Sequence, residues 1–522
     1  MNIAELLDIP ASMFPDQEIV SFEDQRTTYE QLQDRVARTA GALQALGVRS
    51  GDRVAALQTN TPSVTELLYA TTSLGAVFVP LNYRARTEEL AQMLDVASPT
   101  VLLAGDRYLD LARGMPGRHT LVSLETADRD SPALEGLLEA AGPAVPEETA
   151  DDALAVLLFT SGTTAMAKAV MLAHADLVNF VFNTTEMADG SDRGAVLVCA
   201  PLYHVAGLTA VLAATFAGRR MVVMRQFDAA EWLRLAALEQ VTHAFLVPTM
   251  VKRALEHPTF AETDLSSLQV LSYGAAPMPL SLIRRAIGTF PPAVQFINAF
   301  GQTETTSTVT MLGPDDHRLD GSPDEVEKKI RRLASIGRPL PDVEVRMVDD
   351  RGEPVAAGQV GEIAIRTDRT MRGYYGQPDA TQATLHDGWL HTRDLGWMDE
   401  DGYIFLVGRK SDMIIRGGEN IAPEEIEIVL ESHSAVEEAA VIGLPDEEWG
   451  ERVVAVVVLL PGGDASEADL IDFCHERLAS FKKPERIFFA DALPRNALGK
   501  LVRREVRALY LDESGRSAAS AT

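Results

Sequence analysis

The sequence predicts an α/β protein, and two observations carry that prediction. Between Ala153 and Phe300, short runs of apolar residues alternate with segments long enough to form helices. Strands that are apolar throughout and separated by helices are typical of a parallel sheet covered on both faces. A chain of 522 residues also has room for roughly two to four hydrophobic cores. The apolar runs are AVLLFT, AVLVCA, RMVVM, HAFLV, LQVLS and AVQFINAF.

The segments on either side of this region predict further elements. Apolar residues at helical spacing from Tyr29 to Leu43 predict a helix that ends near Gly47. Residues Thr126–Asp152 are rich in Ala, Pro, Glu and Asp and predict a surface connection. Residues Pro341–Arg372 alternate in polarity and favour an antiparallel, barrel-like unit. Three short apolar runs of the N-terminal third predict strands: Val54–Leu57, Ala76–Pro80 and Val101–Leu103.

The C-terminal part of the chain predicts a separate, smaller α+β unit. We place the boundary between an N-terminal domain, residues 1–408, and a C-terminal domain, residues 409–522. Four segments of the second domain predict a helix, two strands and a helix in that order: Pro423–Ser432, Ala439–Ile442, Val453–Leu460 and Ala465–Ser480.

Charge and composition exclude several classes of function. The 47 basic and 76 acidic residues give a net charge of −29, so nucleic acid and anionic lipid are not expected partners. The longest aliphatic run, Val453–Leu460, is far shorter than the roughly 20 residues of a membrane span. Cys199 and Cys474 lie far apart and show no zinc-binding spacing. With no sequence resembling a signal peptide, we expect a cytoplasmic protein, and a homodimer is left open.

The segment Phe159–Lys168, FTSGTTAMAK, has the composition of a phosphate-binding loop. Hydroxyls and backbone N–H groups would donate to phosphate oxygens, Gly162 would allow close approach, and Lys168 would add positive charge. The segment follows a predicted strand and is expected to lead into a helix over LAHADLVNFVF. It lacks the second glycine of a Walker loop. A polar surface turn is the alternative.

Three other segments place charged side chains beside glycine turns. Glu304, at the end of NAFGQTE, could bind Mg²⁺, or it could be a solvated residue at a helix start. Asp394, in HTRDLG, could accept the hydroxyls of a ribose with help from Arg409, although a surface ion pair is the alternative. Lys500, in PRNALGK, could act as a point charge, but a solvated lysine is the ordinary case.

Taken together, these segments resemble the adenylate-forming superfamily of acyl-CoA synthetases, luciferases and adenylation domains. The resemblance extends over nearly the whole chain. It implies a large N-terminal domain of two sheet-and-helix subdomains plus a small β-barrel, followed by a mobile α+β C-terminal domain. The matching motifs, in order, are TSGTTAMAKAV, PLYHVAGL, YGAAPM, NAFGQTE, HTRDLGW, GRKSDMIIRGGENIAPEEIE and PRNALGK.

The resemblance implies an acyl-CoA ligase that uses ATP, Mg²⁺ and CoA. A carboxylic acid would form an acyl-adenylate with release of pyrophosphate, and CoA would then take the acyl group with release of AMP. The implied catalytic residues are Lys500, Thr303, Glu304 and His204, with Glu304 as the metal ligand. The implied nucleotide-binding residues are Thr160, Ser161, Gly162, Thr163, Thr164, Lys168, Gly274, Ala275, Ala276, Asn298, Phe300, Gly301, Thr303, Asp394, Arg409 and Lys500.

The resemblance also implies an acid pocket, a hinge and a CoA surface. Because no Asp follows Tyr203, an α-amino acid is not expected as the substrate, and a medium-chain, aryl or alicyclic acid is. The pocket residues are Tyr203, His204, Val205, Gly207, Leu208, Ser272, Gly301, Thr305 and Thr308. The domain would turn at Lys410 and Ser411 and present to CoA the residues Gly417, Gly418, Glu419, Trp449 and Lys482.

Some residues depart from the family pattern. Ala165, Ala167 and Ala169 replace small or cyclic residues of the phosphate loop, and an alanine cannot adopt φ > 0 cheaply. Arg393 replaces a glycine, and Phe300 and Ser411 are also unusual. Three alternatives stay open: an acyl-AMP ligase that loads a carrier protein, a luciferase-like oxygenase, and a non-catalytic nucleotide-binding relative, which only the alanine-rich loop supports.

Overall fold

The computed structural model describes residues 1–127, 131–160, 168–446, 448–460, 462–495 and 500–511. In these residues the strands are β1 Glu18–Phe22, β2 Gln25–Thr28, β3 Arg53–Leu57, β4 Val77–Pro80, β5 Val101–Ala104, β6 Thr120–Ser123, β7 Leu154–Thr160, β8 Lys168–Ala173, β9 Ala195–Val198, β10 Arg220–Val223, β11 His243–Leu246, β12 Val270–Gly274, β13 Gln295–Gln302, β14 Ser307–Leu312, β15 Arg338–Pro339, β16 Glu344–Val348, β17 Gly361–Arg366, β18 Gly373–Tyr374, β19 Leu385–His386, β20 Trp389–Met398, β21 Ile404–Arg409, β22 Ile414–Arg416, β23 Glu419–Ile421, β24 Val436–Asp446, β25 Gly450–Leu459 and β26 Arg486–Phe489.

The α-helices surround and separate these strands. They are α1 Glu5–Met13, α2 Tyr29–Ala45, α3 Pro62–Ser73, α4 Thr87–Ala97, α5 Leu109–Arg113, α6 Leu134–Ala140, α7 His174–Thr184, α8 Val205–Ala217, α9 Ala229–Leu238, α10 Pro248–Glu256, α11 Leu280–Thr289, α12 Pro314–His317, α13 Pro323–Arg332, α14 Pro378–Gln382, α15 Pro423–Glu431, α16 Glu467–His475 and α17 Arg503–Leu511. A membrane-spanning helix is absent from the described part of the chain.

Two large mixed sheets form the N-terminal part. One has nine strands in the order β15-β14-β13-β12-β11-β9-β10-β1-β2, and the other has seven in the order β18-β8-β7-β4-β3-β5-β6. The inner strands are parallel, and antiparallel strands lie towards the edges. The largest hydrophobic core contains residues of both sheets, such as Phe78 and Met221, and residues of α3 and α8, such as Leu67 and Leu212. The α/β fold predicted from the apolar runs is therefore confirmed.

The sequence interpretation was wrong about which sheet one strand joins. The run AVLLFT was expected in the same sheet as the five runs that follow it, but β7 pairs with β4 of the seven-stranded sheet. An apolar run indicates that a strand is buried on both faces, but it does not indicate which strand it pairs with. The two-sheet arrangement places the ends of β7 and β13 in different sheets.

The segment Thr126–Asp152 is more than a surface connection. It contains α6, whose Leu134 and Leu138 are buried in the main core, and α6 packs against α2. The start of α2 is stabilised locally, because Thr28 and Gln31 form a reciprocal capping box. It ends before Gly47, whose φ of +94° few other residues adopt.

The antiparallel pairing predicted for residues 341–372 is confirmed. β16 pairs with β17, for example Val345 with Ile365, in a five-stranded sheet that also contains β19, β20 and β21. A second five-stranded sheet, β23-β22-β25-β24 with β26 parallel to β25, forms the C-terminal part with α15, α16 and α17. The predicted boundary at 408 and 409 falls at the end of β21.

Candidate active site

Tyr203 and His204 lie between β9 and α8, where His204 is the residue that precedes the helix. The two rings pack together with centroids 4.4 Å apart. The His204 Nε2 atom is buried and has no hydrogen-bond partner among the residues that the structure describes. Burial lowers the pKa of His204 to about 3, and the positive charges of Lys500 and Arg84 add to this shift. The imidazole is therefore neutral at pH 7, and a carboxylic acid bound beside it would contact an uncharged ring.

The ends of β12 and β13 form the neighbouring wall of the site. A Cβ at Gly274 would lie 2.1 Å from the Ala299 carbonyl oxygen, so only glycine fits there. Ala275 has a φ of +65°, in the left-handed region. The Asn298 side chain donates to the Ser335 carbonyl oxygen (3.2 Å), and the half-buried Phe300 packs against the core between β14 and β17.

Glu304 lies in a short 3₁₀ turn, Thr303–Thr305, directly after β13. The Tyr374 hydroxyl donates to Glu304 Oε1 (2.9 Å). The Lys168 ammonium lies 4.6 Å from the centre of the Tyr374 ring. Burial and the Arg393 charge lower the pKa of Lys168, while Glu304 opposes that shift. Lys168, Arg393 and Glu304 thus belong to one electrostatic cluster.

Asp394 is buried on β20 and is held on both sides. Its Oδ1 pairs with Arg409 Nε (3.0 Å), and its Oδ2 accepts from Gln302 Nε2 (2.6 Å). Burial raises the pKa of Asp394, and Arg409, Gln302 and Lys500 oppose this shift. The expected alternative, a surface ion pair, does not describe a carboxylate that is 6% exposed. Each of its oxygens keeps acceptor capacity for a ligand hydroxyl.

Lys500 comes from the C-terminal part of the chain and lies among residues of the N-terminal part. Burial and Arg409 lower the pKa of Lys500, while Asp394 and Glu304 raise it. It also acts electrostatically on His204. The structure therefore brings within electrostatic range Lys500, His204, Glu304, Asp394 and Arg409, which lie between positions 204 and 500 of the sequence.

The phosphate loop is only partly described. Ser161, Gly162, Thr163, Thr164, Ala165 and Ala167 lie outside the described residues. Thr160 ends β7 and Lys168 begins β8, and the two are directly paired across the antiparallel ladder. The helix expected after this loop is present as α7, and the strand β8, which was not predicted, lies between the loop and that helix.

The pocket residues fall into two groups. Val205 and Gly207 form the first turn of α8, Leu208 is buried behind them, and Ser272 and Thr308 are half-buried on β12 and β14. Thr305 differs, because it is fully buried and its hydroxyl donates to the backbone of Gln302 (3.1 Å) and Ser307 (3.0 Å). Its side chain therefore stabilises the turn.

The predicted hinge residues are exposed, and so are the predicted CoA residues apart from the half-buried Lys482. Lys410 pairs with Asp350 (2.7 Å) and Glu362 (3.6 Å) of the N-terminal part, and the Ser411 hydroxyl donates to Asp412 (3.1 Å). Gly417, Gly418 and Glu419 are exposed beside Trp449, whose carbonyl accepts from the Gly417 N–H (2.7 Å). Lys482 is paired with Glu425 (2.7 Å).

Two family models match the chain over most of its length. The model described as AMP-binding enzyme matches residues 7–375, and the model for the C-terminal domain of AMP-binding enzymes matches residues 425–500. The chain belongs to the AMP-binding enzyme family.

Several family members are similar over nearly their full length. A feruloyl-CoA synthase from Amycolatopsis sp is 37% identical over 95% of this chain and 96% of its own. A fatty acid–[acyl-carrier-protein] ligase from Streptomyces coeruleorubidus is 35% identical over 95% of this chain and 93% of its own. The structure of an o-succinylbenzoate CoA synthetase from Bacillus subtilis, in complex with its acyl-adenylate intermediate, superposes with a TM-score of 0.83 at 30% identity, covering 96% and 97%.

These findings confirm the predicted family, fold and enzyme class. The chain is an AMP-binding enzyme of the acid–thiol ligase type, which uses ATP, Mg²⁺ and CoA. Within the described ranges, no three His, Cys, Asp or Glu side chains cluster to hold a metal by themselves. A single carboxylate, Glu304, suits Mg²⁺ that is bound largely through nucleotide phosphates, which is the usual protein site for this ion.

Sequence reasoning missed three residues that position the site of this AMP-binding enzyme. Gln302 holds Asp394, Tyr374 holds Glu304, and Arg369 contacts the backbone of the Glu304 turn. Gln302 lies inside a quoted motif, so its place could have been noticed. Tyr374 and Arg369 lie about seventy residues from the turn that they contact, and nothing in the linear sequence indicates that pairing.

Proposed function

We propose that this AMP-binding enzyme activates an aryl, medium-chain fatty or alicyclic carboxylic acid as acyl-AMP and transfers the acyl group to CoA. The observation that carries the proposal is that Lys500 is buried within electrostatic range of Asp394, Arg409, Glu304 and His204. A reaction between a carboxylate and a polyphosphate needs positive charge where the two anions meet.

In the first half-reaction, a carboxylate oxygen attacks the α-phosphorus of ATP. The new O–P bond forms as the bond from the α-phosphorus to the bridging oxygen breaks, and that electron pair leaves with pyrophosphate. Lys500 would bridge the carboxylate and the α-phosphate, and Lys168 with Thr160 would hold the outer phosphates. Mg²⁺, held by Glu304 with Thr303 nearby, would supply charge neutralisation to the polyphosphate.

The nucleoside end would be held by the remaining residues of the site. Asp394 and Arg409 would bind the ribose hydroxyls, because both are preoriented and Asp394 keeps free lone pairs. Gly274, Ala275 and Ala276 on one side and Phe300 on the other would flank the adenine, with Asn298 and Gly301 supporting that wall.

In the second half-reaction, the CoA sulfur attacks the acyl carbon and the thiol proton passes to solvent. The bond from that carbon to the AMP oxygen breaks, and AMP leaves with its electron pair. We propose that the C-terminal domain first turns about Lys410 and Ser411. That motion would withdraw Lys500 and bring Gly417, Gly418, Glu419 and Trp449 towards CoA. Lys482 would contact CoA only after its ion pair with Glu425 breaks.

The acid class follows from the pocket. Tyr203, Val205 and Leu208 are apolar or aromatic, and His204 is uncharged at neutral pH because its pKa is about 3. No carboxylate follows Tyr203 to bind an amino group. Relatives named for ferulate and for o-succinylbenzoate support an aromatic acid as the first substrate to test.

The deciding experiment measures pyrophosphate and AMP release with Mg·ATP and a panel of acids, with and without CoA. The panel contains short, medium and long fatty acids and benzoic, cinnamic and alicyclic acids. We expect continuous turnover to AMP and thioester only when both an acid and CoA are present. No pyrophosphate release with any acid would contradict the proposal.

A carrier protein is the second candidate acceptor. The relative named as a fatty acid–[acyl-carrier-protein] ligase favours testing it. Pyrophosphate release that stops after one equivalent despite CoA, but continues when a phosphopantetheinylated carrier protein is added, would select this alternative.

Location and assembly complete the proposal. We propose a cytoplasmic enzyme, since ATP and CoA are available there and the free thiols of Cys199 and Cys474 stay reduced. A homodimer remains a proposal, and light scattering coupled to size-exclusion chromatography would decide between one and two chains.

A further inference from the structure

The turn that carries Glu304, Thr303–Thr305, is followed directly by two consecutive residues in an unfavourable backbone conformation. Thr306 has a φ of +48° and Ser307 a φ of +78°. Outside glycine, the left-handed region costs about 1–2 kcal/mol per residue. Such a conformation persists only where the surroundings hold it, so some other part of the protein must stabilise this turn.

Arg369 provides that hold from a distant segment. Its side chain is 0% exposed, and its Nη1 donates to the carbonyl oxygens of Thr305 (3.3 Å) and Thr308 (2.8 Å). In return, the Thr306 hydroxyl donates to the Arg369 carbonyl (2.6 Å). Three of the four residues from Thr305 to Thr308 are thus bonded to Arg369.

Asp342 makes a fully buried guanidinium tolerable at this position. Its carboxylate pairs with Arg369 Nε (2.6 Å) and Nη2 (3.4 Å), and it also accepts from Asn183 (3.3 Å). A buried charge without a partner would be strongly destabilising. The fork of the guanidinium uses one edge for Asp342 and leaves Nη1 for the turn.

Two residues that follow Arg369, Met371 and Tyr374, donate hydrogen bonds to Glu304 in the same turn. The Met371 N–H donates to the Glu304 carbonyl oxygen (2.9 Å), and the Tyr374 hydroxyl donates to the Glu304 carboxylate (2.9 Å). Glycine at position 301 lets the turn close, because a Cβ there would lie 1.8 Å from the Ser307 carbonyl oxygen.

We propose that Arg369, fixed by Asp342, is a positioning residue that sets the direction of the Glu304 carboxylate and of Thr308 by holding the strained turn between them. The proposal rests on the proposed function, in which Glu304 faces the metal of the nucleotide. It assigns to this buried ion pair an effect on metal binding that is separable from its effect on folding.

The test compares three variants with the wild-type enzyme. Arg369→Met removes both hydrogen bonds to the turn and leaves Asp342 unpaired. The double variant Arg369→Met with Asp342→Leu removes the charges together, which is often neutral for stability. Arg366→Met is the matched control, since Arg366 is an exposed arginine three positions away that pairs with the exposed Glu344 and lies over the Trp389 ring.

The readouts are thermal unfolding and Mn²⁺ binding to the enzyme·ATP complex, followed by electron paramagnetic resonance. We expect Arg369→Met to lose both stability and Mn²⁺ affinity, the latter by about tenfold or more, as for other residues that orient a metal ligand. The double variant should recover stability but not Mn²⁺ affinity, and Arg366→Met should change neither.

Recovery of Mn²⁺ affinity together with stability in the double variant would overturn the proposal, because the pair would then be structural only. Wild-type affinity in Arg369→Met would also overturn it. Neither readout requires an acid or an acceptor, so a failure of the proposed ligase function would be seen separately, in the pyrophosphate assay.

Discussion

At the scale of single residues, the candidate site contains two lysines, Lys168 and Lys500, that lie far apart in the sequence. Lys168 begins β8 and faces Tyr374 and Glu304, whereas Lys500 lies beside Asp394 and Arg409. Burial lowers the pKa of both ammonium groups, so part of the stabilisation of their charged forms depends on nearby anions. A bound polyphosphate would supply such anions.

Replacement of Lys500 should separate the two half-reactions. We expect Lys500→Ala to slow acyl-AMP formation by about a hundredfold or more, as loss of one charge-stabilising donor does elsewhere. Thioester formation from supplied acyl-AMP should be largely retained. Single-turnover assays of each half-reaction measure this, with Lys483→Ala as the control in the same domain. An equal loss in both half-reactions would contradict the role assigned to Lys500.

Arg393 allows backbone strain to be separated from charge. Its φ is +62°, so Arg393→Ala keeps the strain while Arg393→Gly relieves it, and the Gly variant should be more stable by about 1 kcal/mol. The order should reverse at Arg366, in the extended strand β17, where glycine weakens pairing. Urea unfolding of the four variants measures the difference. A less stable Gly variant at position 393 would contradict this explanation.

At the scale of elements, the sequence predicted what local chemistry determines. The spacing from Tyr29 to Leu43 predicted α2, and the alternating polarity of Pro341–Arg372 predicted the β16–β17 pair. It did not predict that β7 leaves the sheet of its successors, nor that β8 separates the phosphate loop from α7. Strand pairing depends on long-range packing, which apolar runs do not encode. The same limit applies to the candidate site: sequence motifs predicted Glu304 and Asp394, but they did not predict Tyr374 or Arg369, which contact the site from a distant segment.

The helix α15 should make the C-terminal domain less stable as pH rises. Burial raises the pKa of Glu431 to about 7, although the Ala439 N–H and the charges of Arg495 and Arg503 oppose the shift and Glu438 adds to it. The folded state therefore holds a proton that the unfolded chain has already released. Stability contributed by this proton is complete below pH 4.5, the ordinary value, and is lost as pH rises to about 7.

Glu431→Gln should remove that dependence. Relative to the variant, we expect the wild-type protein to lose on the order of 2 kcal/mol between pH 4.5 and 7.5. Urea unfolding followed across this range measures it, and Glu476→Gln, at an exposed position of the same domain, should leave the slope unchanged. Parallel curves for the wild type and Glu431→Gln would show that the carboxyl ionises normally.

At the scale of the whole molecule, a few ion pairs join the two parts of the chain. Lys252, on α10, pairs with Glu437, on β24, and Lys410 pairs with Asp350 and Glu362. These contacts accompany the arrangement in which Lys500 lies beside Asp394. Half-buried surface pairs contribute only about 0–1 kcal/mol each. That amount is small for folding but large enough to shift an equilibrium between two domain arrangements.

Breaking the Lys252–Glu437 pair should therefore favour the second half-reaction at the expense of the first. We expect Glu437→Gln to slow acyl-AMP formation about two- to fivefold and to leave thioester formation equal or faster. Added salt should slow the wild type towards the variant, because it partly screens this half-buried surface pair. Lys252→Met should slow acyl-AMP formation to the same extent, and the double variant should be no slower than either single variant.

Glu467→Gln, which breaks a pair with Arg486 inside the C-terminal part, is the matched control. Additive losses in the double variant, or equal losses in both half-reactions, would show that the pair does not bias the domain arrangement.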